Sequence, residues 1–221
     1  MNYVISIVNS DSLKKLNDLC EKMSLPLTVA AHAKGTAVKS MLDLLGIEST
    51  ERRVVFSIAD GKKTKELISE QKRKLHIGVP GHGIVIAVPI KSIGGGKTLS
   101  YLKGDEQSAK YVPEFNPAYE LIVVIANEGS TDSVMNAARS AGARGGTVIH
   151  GKGTGVKGAS KFYNVSIASE KEIILVVSSS ELKAEIMRSI LRTAGPDTDA
   201  GAIVFSVPVT DVAGFGFFEE D

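Results

Sequence analysis

Short apolar runs rich in β-branched residues recur along the chain, separated by longer segments whose apolar positions fall three and four apart. In the first half "YVISIVN" (Tyr3 to Asn9), "PLTVAAHA", "RRVVFSIAD" and "GIVIAVPI" have the length and composition of buried strands. In the second half "YELIVVIA" (Tyr119 to Ala126), "GTVIHG", "EIILVVSS" and "AIVFSVPV" read the same way. Between them lie four helical segments: "DSLKKLNDLCEKMS", "KKTKELISEQKRKL", "STDSVMNAARSAG" and "ELKAEIMRSILRTAG". Asp11 or Ser12 caps the first, and Ser130 or Thr131 the third. Gly142 fits the left-handed position that ends the third helix, and Gly195–Pro196 stops the fourth. The spacing turns Val134, Ala137, Ala138 and Ala141 inward on the third helix, and Leu182, Ile186 and Ile190 (with Met187) on the fourth. Cys20 shares the first helix with Leu13, Leu16 and Met23, so it reads as core rather than as a reactive thiol.

The pattern is written twice. "TVAAHAKGTAVK" (Thr28 to Lys39) returns as "GTVIHGKGTGVK" (Gly146 to Lys157), so His32, Lys34, Gly35 and Thr36 recur 118 positions on as His150, Lys152, Gly153 and Thr154. "IVIAVPI" (Ile84 to Ile90) returns as "IVFSVPV" (Ile203 to Val209), and "VVFSIAD" as "IILVVSS", both at an offset of 119. Three matches in one order at offsets within one residue of each other make the chain two copies of a unit of about 95 residues. Each copy runs strand-helix-strand-strand-helix-strand, the split βαβ or ferredoxin-like layout. The predicted class is therefore α+β: two ferredoxin-like (βαββαβ) units in tandem, each an antiparallel sheet with helices on one face. The boundaries read as 1–93 for the first unit, 94–117 for a glycine- and proline-containing linker, and 118–214 for the second. The first unit has something of its own between its middle strands, "AVKSMLDLLGI", with Val38, Met41, Leu42 and Leu45 at helical spacing.

Composition narrows the partners. Of 221 residues, 26 are basic and 25 acidic, for a net charge of +1, which gives no support to a broad nucleic-acid or membrane surface. Cys20 is the one cysteine, no apolar run approaches ~20 residues, and the start lacks a signal-peptide layout, so a cytoplasmic protein is expected.

The motifs exclude more chemistry than they offer. Gly146 to Lys152 fits the first seven positions of a Walker loop, but Gly153 stands where the magnesium-binding Ser or Thr belongs. The spacer "TVIH" is itself strand-like and no helix follows, so no nucleotide cradle of that type forms. "GGGKT" (Gly94 to Thr98) fails as well, because Lys91 occupies the place of the first glycine. His32, His76, His82 and His150 show no zinc-ligand spacing and no G-x-S-x-G elbow exists, so neither a catalytic set nor a metal set is read. The strands are aliphatic, with Phe56 and Phe205 internal, which argues against base stacking on the sheet and hence against nucleic acid.

"AARSAGARGGTVIHGKGTG", followed by "EIILVV", "RSILRTAG" and "DAGAIVFSVPV", resembles the nitrogen-regulatory P-II signalling family from Tyr119 to about Val212. The strand end marked by Thr147, Val148, Lys152, Gly153 and Gly155, and the "RTA" helix end, carry the resemblance. The first unit resembles the family through the repeat. The resemblance implies trimers of ferredoxin-like units that bind an adenine nucleotide (ATP, ADP or AMP) between neighbouring units, with no catalysis. It also implies a loop between the second and third strands that docks on a transporter, an enzyme or a regulator. Carried onto this chain, it places Lys152, Gly153, Thr154 and Gly155 beside the nucleotide. It makes the segment from Thr193 to Ala202, with Gly195, Gly201 and Ala202, the phosphate-wrapping loop. Lys157, Lys161 and Tyr163 then belong to the docking loop. Glycines would let backbone N–H groups approach phosphate oxygens and lysines would supply charge.

The chain also departs from the family. "GPDTDAG" has no lysine, and "TDVAGFGFFEED" after the last strand has no arginine where the family places two. These departures keep a second reading open, a degenerate structural or partner-docking module without nucleotide sensing. An enzyme on the same fold rests on fold analogy alone. The leading expectation is a regulatory protein that senses a small effector and controls a target protein in nitrogen or related metabolism.

Overall fold

The computed structural model describes residues 1–25, 28–36, 50–91, 114–153, 161–162, 165–166 and 170–214, the two short pairs by their backbone alone. The helix expected over "AVKSMLDLLGI" and nearly all of the expected linker lie outside the described residues. Two compact units form: one from Met1–His32, Val38–Tyr119 and Pro208–Asp221, the other from Ala33–Ala37 and Glu120–Val207. Both have the ferredoxin-like order of the α+β class.

In the first unit, β1 (Asn2–Asn9), β2 (Thr28–Gly35, whose last residues count with the second unit), β3 (Glu51–Ala59) and β4 (Gly83–Pro89) alternate with α1 (Leu13–Lys22) and α2 (Gly61–Leu75). The sheet order is β2-β3-β1-β4, and β1 runs antiparallel to β3 and β4, with Ile5 opposite Phe56 and Ile86. A strand not anticipated from the sequence, β11 (Asp211–Ala213), pairs with the free edge of β4, where Val212 faces Ile86. Alternate residues of the sheet (Val4, Val8, Val55, Ala59, Val85, Ala87) pack with Leu16, Leu19 and Cys20 of α1 and Leu67, Ile68 and Leu75 of α2. Cys20 is core, as its spacing implied, and burial pushes its thiol up.

The 15-residue α2 starts at Asp60, whose carboxylate accepts the Lys63 amide at 2.7 Å and so satisfies one donor of the open helix end. Asp60→Ala should lower the stability of this unit by about 1 kcal/mol. Urea unfolding measures it, and a midpoint equal to that of the parent would deny the cap any role.

In the second unit, β5 (Tyr119–Asn127), β6 (Thr147–Lys152), β9 (Glu170–Ser179) and β10 (Ile203–Pro208) alternate with α3 (Thr131–Ser140) and α4 (Ser180–Ala194). The order β10-β5-β9-β6 repeats that of the first unit. The two-residue strands β7 (Lys161–Phe162) and β8 (Val165–Ser166) pair with each other between β6 and β9 in the chain. Ile122, Val124, Val148, Ile174 and Val176 meet Val134, Ala137 and Ala138 of α3 and Ile186 and Ile190 of α4 in one core.

Two positions differ from the spacing argument. Met135 is buried within this core although helical spacing from Val134 does not single it out. Leu182, expected inward, is 43% exposed and lies over Gly142, whose missing side chain leaves room for it at the end of α3. Gly142 itself takes φ +97°, as its position after the helix predicts. One residue further along α4, Lys183 binds Glu120 at 2.6 Å. Burial alone would raise the Glu120 carboxyl, but the bonds from Lys183 and Ser206 outweigh it and bring it below its ordinary value.

The "KGT" of the first half also belongs to this unit. Lys34 and Gly35 pair with Val148 and Thr147, and the Thr36 amide and hydroxyl both donate to the Gly146 carbonyl at 3.0 Å. The Thr36 hydroxyl accepts the Gly146 amide at 2.8 Å, and Arg139 donates to the Thr36 carbonyl. The start of β6 is thereby held on both sides.

Candidate functional site

The antiparallel order brings four chain ends to one edge of the second unit: the end of β5, the end of β6, the start of β9, and the loop from α4 to β10. Asn127 closes β5 and holds that loop. Its Nδ2 donates to the Asp199 carbonyl at 2.7 Å and its amide to the Ala200 carbonyl at 2.9 Å. The loop also braces itself. Thr198 returns both its amide (3.0 Å) and its hydroxyl (2.8 Å) to the Gly195 carbonyl, and the Ala202 amide reaches Ala194 at 2.9 Å. Gly195 is obligatory at its start, because a Cβ there would lie 2.2 Å from the Leu191 carbonyl oxygen. Gly201 follows with φ +54°. The loop is thus a built element, not a slack connection.

The lysines come from the neighbouring strands. Lys171, second residue of β9, bonds the Asn127 Oδ1 and so joins β9 to the loop's anchor. Lys152 ends β6 with its side chain 71% exposed, and its Nζ lies 3.3 Å from Glu170. Beside it, Glu172 is buried (3% exposed) and accepts the Gly129 amide at 3.1 Å and the Thr131 hydroxyl at 2.8 Å. A carboxylate there faces the positive end of α3, and it fixes the turn after β5. His150 sits across from it, with its Nδ1 4.0 Å from Oε1.

Removing the Glu172 carboxylate would take from the Gly129 amide and the Thr131 hydroxyl the charged acceptor that ties them to β9. Glu172→Ala should cost about 2 kcal/mol, while Glu172→Gln should cost less because the Thr131 hydroxyl can turn to accept. Denaturant unfolding of the two variants checks the order, and equal losses would contradict this account of the turn.

Of the residues assigned from sequence, Lys152 and Gly153 lie at this edge, as do Gly195, Gly201 and Ala202, and the line Lys171–Asn127–Asp199 connects the two groups. Thr154, Gly155, Lys157 and Tyr163 lie outside the described residues, and Lys161 is described by its backbone, in β7. Asn127, Lys171 and Glu172 were not assigned from sequence. Electrostatically the edge is mixed: Lys152 and Lys171 stand against Glu170, Glu172 and the exposed Asp197 and Asp199. Such an edge can hold an anion through backbone N–H groups and two lysines, provided Lys152 leaves Glu170. Among the described residues no group of three or more His, Cys, Asp or Glu could hold a metal ion. No described helix is long and apolar enough to cross a membrane. The first unit has an open cleft of about 660 Å³ lined by Asn2, Lys62, Lys65, Phe115 and Asp211, and none of the assigned site residues borders it.

Comparison with known proteins bears on the second unit. The family described as nitrogen regulatory protein P-II matches residues 119–215. Among solved structures, the chain is similar to Arabidopsis thaliana PII bound to citrate, at 19% identity over 43% of this chain and 79% of that one, with a TM-score of 0.33. It is similar to the B. subtilis GlnK-ATP complex at 12% identity over 46% and 97%, with a TM-score of 0.34. An unknown protein from Galdieria sulphuraria is similar over 94% of this chain and 98% of its own, at 15% identity and a TM-score of 0.31. No curated protein sequence shows significant similarity. The glycine-bounded loop after α4 and the Lys152–Gly153 strand end thus lie within a matched domain: residues 119–215 of this chain are a nitrogen regulatory protein P-II domain.

Proposed function

We propose that the protein is a cytoplasmic P-II-like regulator, not an enzyme, that senses a small effector and passes the signal to a target protein. The effector is an adenine nucleotide (ATP, ADP or AMP), and the target is a transporter, enzyme or regulator in nitrogen or related metabolism. The observation that carries this reading is the braced loop from Gly195 to Ala202, tied through Asn127 and Lys171 to the strand end at Lys152. In this account the phosphates lie against the loop's backbone, with Lys152 and Lys171 supplying charge. Lys152 exchanges Glu170 for phosphate, and that exchange moves the base of the loop that carries Gly153, Thr154 and Gly155. Lys157, Lys161 and Tyr163 then present the altered loop to the partner. Assembly is a homotrimer of chains, which closes P-II-like interfaces by cyclic symmetry.

Isothermal titration calorimetry of the full chain with ATP, ADP, AMP and cyclic dinucleotides tests the ligand. Binding of an adenine mononucleotide that weakens in Lys152→Ala supports the reading, and silence from the whole panel would end it.

A specific observation favours a second reading. Both lysines at the edge already have partners, Glu170 and Asn127, and the loop adds two acids and no base. A module that docks on its partner through its loops without any nucleotide fits that arrangement. Partner binding that is indifferent to added nucleotide would select it.

A further inference from the structure

The first unit carries a pair of side chains that neither the fold nor the proposed signalling uses. His76 and His82 flank the turn between α2 and β4, and their rings stand 5.7 Å apart between centroids at an interplanar angle of 85°. The turn holds them there. His76 takes the left-handed conformation (φ 55°) that ends α2, with its amide donating to the Gln71 carbonyl. The Val79 amide returns to the His76 carbonyl at 3.0 Å, and the His82 amide to the Val79 carbonyl at 3.1 Å. Gly78, Gly81 and Gly83 all have positive φ, so the chain doubles back and presents both imidazoles together. His76 is exposed and His82 half-buried, which leaves the pair open to solvent.

We propose that His76 and His82 form a two-histidine site for a borderline divalent transition metal, copper(II) or zinc(II). A metal about 2.1 Å from a ring nitrogen lies about 3.2 Å from that ring's centroid, so two imidazoles sharing zinc(II) at a tetrahedral or trigonal angle have centroids about 5.2–5.5 Å apart, and two neighbouring ones in a copper(II) plane about 4.5 Å. The observed 5.7 Å lies outside both and the rings meet edge to face at 85°, so one imidazole must turn about its soft Cβ–Cγ torsion to aim a nitrogen at a shared metal. The place favours a cation as well. The last carbonyls of the 15-residue α2 point at the turn and carry the negative end of the helix dipole. The last turn also carries three cations, Lys72, Arg73 and Lys74, of which Arg73 and Lys74 are bound to Glu70 at 2.8 and 2.7 Å, so their charge is only partly offset. Imidazole ligands suit copper and zinc and leave magnesium and calcium unbound. With two protein ligands, water fills the other positions, so the site exchanges its metal and weakens in acid as protons compete for the same nitrogens.

The test uses the untagged full chain and copper(II) sulfate. Calorimetry should give one copper per chain, and electron paramagnetic resonance of that complex should show two imidazole nitrogens in the copper plane. His76→Asn, which keeps a residue tolerant of the left-handed conformation, and His82→Asn should each weaken binding by more than tenfold. Losing a ligand costs more than losing its supporting hydrogen bond, itself worth about 10–100-fold. His32→Asn and His150→Asn should bind like the parent. A spectrum with fewer than two nitrogens, or parent-like affinity in both His76→Asn and His82→Asn, would show that the rings are an edge-to-face aromatic contact and nothing more.

Discussion

Ile186→Ala is expected to destabilise the second unit by about 3–4 kcal/mol. Ile186 is fully buried on α4, in a cluster with Ile122, Val124, Val134, Ile174 and Val176. Truncation removes three carbons from a packed interior formed by two helices and a sheet that are tied together elsewhere. Ser189 donates to the Ala137 carbonyl at 2.8 Å and Lys183 binds Glu120, so α4 cannot settle freely into the space. The cost is therefore transfer plus cavity. Leu182→Ala, at the same helical spacing but 43% exposed, should cost about 1 kcal/mol or less. Urea unfolding followed by circular dichroism compares the pair. Equal losses would mean that α4 turns a different face to the sheet.

Gly83→Ala should cost about 3 kcal/mol or more, through a different cause. Gly83 opens β4 opposite Val8 with φ +128°, where an L side chain is strained, and a Cβ there would lie 2.2 Å from the Ile7 carbonyl oxygen. The obstacle is backbone, so relief requires β1 and β4 to separate at their paired ends. Gly78 offers the control. It has φ +116° and no atom within 4 Å of where a Cβ would stand, so Gly78→Ala meets the conformational cost without the clash. The first variant should lose amide-exchange protection at the paired ends of β1 and β4, and the second should keep it. Loss of protection in both would place the cost in the turn rather than in the strand contact.

The fold was legible because its strands are short β-branched apolar runs and its helices keep a clean period. Val4, Val8, Val55 and Val85 lie in such runs, and Leu16, Leu67, Ile186 and Ile190 fall at helical spacing, so pattern alone locates most of both cores. Leu182 escaped that logic because its surroundings depend on Gly142, a residue on another element. β11 escaped it because three residues carry no measurable alternation. Asp211–Ala213 is a strand only through the open edge of β4, which takes it as a partner.

The site divides in the same way. Lys152 and Gly153 stood out because their letters recur as Lys34 and Gly35, and the loop glycines because helix ends demand them. Lys171 and Glu172 did not, since charges opening a strand read as solvated. Glu172 is nonetheless buried, because the turn into α3 presents donors directly to it. A signal for Asn127 did exist: it repeats Asn9 at the same offset of 118 that links the histidines and lysines. Of the two, Asn127 binds the backbone of the 195–202 loop, whereas the Asn9 Oδ1 is buried without a hydrogen-bond partner among the described residues.

The central claim, that an adenine nucleotide sits at this edge of the P-II domain, is tested most directly by amide hydrogen exchange of the full chain with and without saturating ATP or ADP. Slowed exchange is expected in the 195–202 loop and around 150–153, with little change in the core of α2. Unchanged exchange in both segments at concentrations that saturate a calorimetric signal, or protection confined to the first unit, would contradict it.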